Sequence, residues 1–86
     1  MAFKFILRDQ RTGCTVAAFT DEIPFSGDLD TSNGVLSAWR GIERKYRAWL
    51  RKSEMDTYLL CVSDLAGDHD LGCRSLQQIK QIRKKV

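Results

Sequence analysis

The spacing of apolar residues changes once along this 86-residue chain, and that change commits it to a mixed fold. Near the start, Phe3, Phe5 and Leu7 recur at every second position, with Lys4 and Arg8 on the other face and Ile6 between them. Period two belongs to a strand with one buried face. Further on, Val35, Trp39, Ile42, Tyr46, Trp49 and Leu50 recur at steps of three and four, with Leu50 next to Trp49. That spacing puts them on one face of a helix. A chain with both periods has to pack helix against sheet.

The remaining segments fill in the order. Asp9-Gln10-Arg11-Thr12-Gly13 has turn chemistry, and residues 14–19 resume β-type residues, so the start reads as an antiparallel hairpin of 2–8 and 14–19. Residues 20–34 hold the single proline, Pro24, and are expected to form a long loop pinned by Ile23, Phe25 and Leu29. Ser32 or Asn33 is the expected cap of a helix over 35–53, whose Gly41 marks a close packing contact. Residues 57–62 are nearly all apolar and read as a central strand buried on both faces. Residues 63–72 read as an acidic loop. Ser75-Leu76-Gln77-Gln78 fits a capping box opening a C-terminal helix with the stripe Leu76, Ile79, Ile82 and Val86. The expected architecture is a single α+β domain over 1–86. It is a two-layer sandwich of order β-β-α-β-α, with a three-stranded sheet and one long amphipathic helix across it. In that helix Trp49, Tyr46 and Ile42 face the sheet, and Trp39 lies at the rim.

Charge is sorted into blocks. Residues 1–11 carry +2, 12–39 carry −4, 40–52 carry +5, 53–73 carry −5 and 74–85 carry +5, within a formal net charge of +3. Modest net charge therefore conceals strong local fields. Arg40, Arg44, Arg47 and Arg51 recur at i, i+4, i+7 and i+11, a row of about 16 Å on an unbroken helix. Guanidinium groups so placed can grip successive phosphates or carboxylates two bonds at a time. Lys80, Arg83 and Lys84 (with Lys85) form a second basic group near the C-terminus. The competing reading pairs these cations with the chain's own acidic segments. Trp39, Tyr46 and Trp49 lie beside the arginines, but on the apolar face, so core packing is their expected role.

Other chemistry finds little support. Cys14, Cys61 and Cys73 form an odd set without paired spacing, so they are expected to be reduced and non-catalytic. His69 sits in Asp68-His69-Asp70 near Cys73, but no second histidine exists to complete a zinc site. There is no phosphate-binding glycine loop, no nucleophile elbow and no separated carboxylate pair. No cofactor or metal is expected, and no catalytic residue is assigned. No apolar run approaches the roughly 20 residues of a membrane span, and the N-terminus lacks a signal-peptide core, so a cytoplasmic location without membrane contact is expected.

The pattern reads as a small non-enzymatic binding module. Its basic helix faces, through Arg40, Arg44, Arg47, Arg51, Lys80, Arg83 and Lys84, would dock on an anionic macromolecule: a nucleic acid, a nucleoprotein or an acidic protein surface. A homodimer is compatible with the sequence. In size and alternating charge the chain also resembles small inhibitors encoded by viruses and mobile elements, anti-CRISPR proteins among them. That resemblance implies the alternative of a regulator acting by protein–protein binding, with the acidic segments contributing.

Overall fold

In a computed structural model, residues 1–25, 27–52 and 57–82 are described. The chain runs β1 (Ala2–Asp9), β2 (Thr15–Glu22), α1 (Ser32–Lys45), α2 (Arg47–Lys52), β3 (Tyr58–Asp64), β4 (Asp70–Ser75) and α3 (Leu76–Gln81). The sheet is antiparallel throughout, in the order β2-β1-β3-β4. The α+β class and the N-terminal hairpin hold. The expected three strands are corrected to four, and the single long helix to two helices.

Alternation in β1 decides which side the helices cover. Phe3, Phe5 and Leu7 point inward, as do Leu60 and Val62 of β3. Against them pack Ala38, Trp39 and Ile42 of α1, Leu50 of α2, and Leu76 and Ile79 of α3. The opposite sheet face has no helical layer among the described residues. It carries exposed Lys4, Arg8 and Ala18, with Ile6, Leu59 and Cys61 half-buried. β3 is therefore central in the sheet but buried on one face only, not on both.

The fourth strand was hidden in the segment read as a loop. Gly67, at φ +80°, turns the chain after Asp64, and β4 returns along β3. A bulge places Leu71 out of the ladder, with Gly72 at φ +83° opposite Val62. Leu71 then drops into the core while Asp70 before it stays exposed. This hairpin sets Cys61 directly opposite Cys73, and the two form a disulfide with Cα atoms 4.0 Å apart. The reduced state expected of all three cysteines is corrected for this pair. Cys14 is free and exposed.

The long helix breaks at Tyr46, whose backbone (φ −102°, ψ +18°) leaves the helical region. Contacts from outside the helix hold this residue. Its ring meets Phe5 at 5.9 Å and Phe19 at 6.4 Å, both edge-on, and its hydroxyl donates to Asp21. Beyond the break, Leu50 points inward at 2% exposure, whereas Trp49 is 44% exposed. The two tryptophans thus exchange their expected places. Trp39 is fully buried, and its indole N–H donates to the Leu71 carbonyl at 3.1 Å.

The ends of the helices follow local chemistry. Thr31, one residue before the expected caps, accepts the Gly34 N–H at 3.0 Å and starts α1. The capping box of α3 forms as read. The Ser75 hydroxyl accepts from the Gln78 amide N–H at 3.1 Å, and the Gln78 side chain accepts the Ser75 N–H at 2.9 Å. Gly41 is the close contact its place in the helix implied: a Cβ there would stand 2.9 Å from the Pro24 carbonyl oxygen. Ile23 and Leu29 are buried and pin the connection between β2 and α1. No helix among the described residues is long and apolar enough to cross a membrane.

Candidate anion-binding groove

The break at Tyr46 divides the arginine row. Arg40, Arg44 and Arg51 are exposed, and none joins an ion pair among the described residues. Arg47 is different. Its Nε and an Nη atom each donate to Glu43 at 3.0 Å, and Glu43 is buried at 6% exposure. That hydrogen-bonded pairing holds the Arg47 proton more tightly than usual. Glu43 on α1 and Arg47 at the start of α2 stand four residues apart across the break, an i, i+4 pair that commits this arginine internally. Lys45 is also committed, bonding Asp21 at 2.8 Å and the Glu22 carbonyl at 2.6 Å. Lys45 and the Tyr46 hydroxyl together lower the Asp21 carboxyl to about 2.

The cations divide by place as well as by partner. Arg44 lines a shallow depression with Glu22, Lys45 and Pro24, so a carboxylate faces it across that space. Arg40 lies elsewhere. It lines a groove between α1, β4 and α3 together with Arg74, Gln78, Gln81, Leu36 and Ile82. Cys73 also lines it, and no carboxylate does among the described residues, although Arg74 borders a second depression that Asp30 lines. Arg74 is held in place: its guanidinium carbon lies 5.3 Å from the centroid of the Trp39 ring. The bulge aids this, because it fixes Leu71, whose carbonyl orients the same indole. Gln78 has its oxygen engaged by the Ser75 cap.

Of the basic residues expected to bind, the structure therefore places Arg40 in the groove, Arg44 in the separate depression that Glu22 also lines, and Arg51 on the short α2. Arg47 turns to Glu43. Lys80, on α3, is half-buried. Arg83 and Lys84 lie outside the described residues. Arg74 was not singled out by the helix pattern, although it opens the last basic block. Its signal was its place before the capping Ser75, where the chain enters α3 beside α1.

A second polar cluster lies at the far end of β3. His69 Nδ1 is 3.1 Å from Asp64 Oδ2, and its Nε2 is 2.7 Å from Asp30 Oδ1. Asp64, itself buried, also accepts the backbone N–H groups of Asp68 at 2.9 Å and His69 at 3.3 Å. The two carboxylates raise the His69 pKa, and the histidine lowers that of Asp64. The cluster clasps the β3–β4 turn to the segment that caps α1. Comparison of the chain with protein-family models, with curated proteins and with solved structures returns no match.

Proposed function

We propose that this protein is a non-enzymatic binding module that docks its α1–β4–α3 groove and the neighbouring arginines on an anionic macromolecule, a nucleic acid or a nucleoprotein. One observation carries the reading: Arg40 and Arg74 share a groove with two glutamines and no lining carboxylate among the described residues. A chain with 11 acidic residues has ample means to neutralise such a pair, and it neutralises Lys45 and Arg47 instead. The Trp39 stack preorganises one guanidinium, which reduces the entropy lost on gripping a phosphate. The glutamine carboxamides add neutral donors beside the charges.

The test is a salt titration of binding to generic DNA and RNA, for the native chain and for Arg40→Glu/Arg74→Glu. For every phosphate no longer neutralised, the slope of log affinity against log salt becomes shallower by about 0.9 on duplex DNA and about 0.7 on single strands. The double variant is expected to bind far more weakly, with a slope shallower by nearly two such steps. Arg47→Glu is expected to lower the melting temperature with a smaller effect on affinity. Absence of binding to either polymer at low salt, or equal binding by the Arg40/Arg74 variant, refutes the reading.

A further inference from the structure

We propose that two copies of this chain associate through β2, edge to edge about a two-fold axis, so that the sheet continues from one copy into the other. β2 is an edge strand of eight residues, and β1 is the only strand paired with it among the described residues. Edges of this kind are usually blunted by lysine, proline or bulges along the free side. Here Thr15 to Thr20 contain no charge and no proline, and the one bulge, which leaves Val16 out of the pairing with β1, lies before the Ala18–Thr20 stretch.

Hydrogen-bond parity fixes which groups face outward. Met1 and Ile23 exchange both backbone bonds, at 3.2 and 2.9 Å, so they form a hydrogen-bonded pair. Such pairs alternate along an antiparallel ladder. Asp21, Phe19 and Ala17 therefore bond towards β1. The N–H and C=O groups of Thr20 and Ala18 point to the open edge, while those of Glu22 are already engaged, its N–H by the Asp21 carboxylate at 2.8 Å and its C=O by Lys45 at 2.6 Å. A second β2 strand satisfies these groups when Ala18 of each copy pairs with Thr20 of the other. That register centres the axis on Phe19, which then faces its own counterpart in a non-hydrogen-bonded pair, where side chains approach most closely.

Side chains favour the same register. Phe19 is 41% exposed although it stacks on Phe5 at 5.1 Å. It borders an apolar groove with Leu7, Ala17, Tyr46, Trp49 and Leu60, in which Trp49 is 44% exposed. The second Phe19 would cover this open aromatic end. Charge agrees as well. The acids at the end of β2 already have partners: Asp21 has Lys45 at 2.8 Å, and Glu22 has the terminal ammonium at 3.1 Å. In the antiparallel dimer they face Ala17 and Val16 rather than each other. Two eight-residue edges with their aromatic flanks cover on the order of 1,000 Å² in total, the floor for specific interfaces, so the dimer should be weak and concentration-dependent.

Sedimentation equilibrium of the full chain, from low micromolar to millimolar concentration, tests this. The native protein is expected to pass from monomer to dimer. Ala18→Pro removes an outward N–H while leaving the bonds to β1 intact, and Phe19→Lys places two charges across the axis; each is expected to raise the dissociation constant by roughly tenfold or more. Melting curves at low concentration show whether each variant is folded. In a Cys14→Ser background, Phe19→Cys is expected to form an intermolecular disulfide on mild oxidation, and Ala17→Cys is not. A native chain that stays monomeric at millimolar concentration overturns the proposal. So does a dimer that survives both substitutions, or cross-linking at position 17 but not at 19.

Discussion

Exchanging the two tryptophans for smaller residues gives the sharpest test of the packing. Trp39 has no exposed surface and hydrogen-bonds a core carbonyl, whereas Trp49 is 44% exposed beyond the helix break. Trp39→Ala removes a buried indole and is expected to cost about 3–5 kcal/mol. Trp39→Phe keeps most of the apolar volume but leaves the Leu71 carbonyl without its donor, which costs about 1–3 kcal/mol. A domain of 86 residues has on the order of 4–13 kcal/mol in all. Trp39→Ala therefore removes a large share of the stability, while Trp39→Phe should remain folded with a melting temperature lower by roughly 4–24 °C. Trp49→Ala should cost about 1 kcal/mol or less, since much of its surface is already in water. Denaturant unfolding followed by far-UV circular dichroism measures all three, in dilute solution where any self-association is absent. A Trp49→Ala variant as costly as Trp39→Ala would show that the break at Tyr46 does not turn Trp49 outward.

Two further outcomes follow from geometry. The His69 clasp raises the histidine pKa above its ordinary 6.5, so its contribution to stability is complete below that value and fades as pH rises through the raised folded-state pKa. Asp64 behaves oppositely: its lowered pKa contributes above about 3.8 and is lost as pH falls through the folded value. His69→Ala should flatten the decline of melting temperature on the alkaline side, and an unchanged slope would remove the clasp from the pH response. Gly41→Ala should destabilise the protein even though alanine gains about 1 kcal/mol of helix propensity, because the new Cβ meets the Pro24 carbonyl at 2.9 Å. Higher stability of that variant, read from its melting curve, would show that the contact relaxes freely.

What could be read from the sequence followed how local each determinant is. The N-terminal hairpin is written in adjacent residues, as alternation of Phe3, Phe5 and Leu7 and a turn at Gly13. The capping box is written in four residues, Ser75 to Gln78. The break at Tyr46 is not local, because it depends on Asp21, Phe5 and Phe19 arriving from the hairpin. Apolar spacing beyond it therefore assigned Trp49 to the wrong side. β4 was concealed by its own bulge, which interrupts the alternation at Leu71 and Gly72. Once that strand was missed, the register facing Cys61 with Cys73 could not be seen. Of the groove, Arg40 was legible and Arg74 was not. The withdrawal of Arg47 had a visible cue in Glu43 one turn before it, which the row of arginines outweighed.

The strand order has a kinetic consequence. β1–β2 and β3–β4 are both hairpins between neighbours in sequence, and each can close quickly on its own. The central seam is different: Phe5 pairs with Val62, and Phe3 with Asp64, across most of the chain. Joining the halves means closing a loop that contains both α1 and α2, and such non-local pairing slows folding. The rate-limiting event should be the meeting of two preformed ribbons over Phe5 and Val62. Until that seam forms, β1 offers a free side of its own, so the unjoined hairpin is the species most open to pairing with the wrong strand.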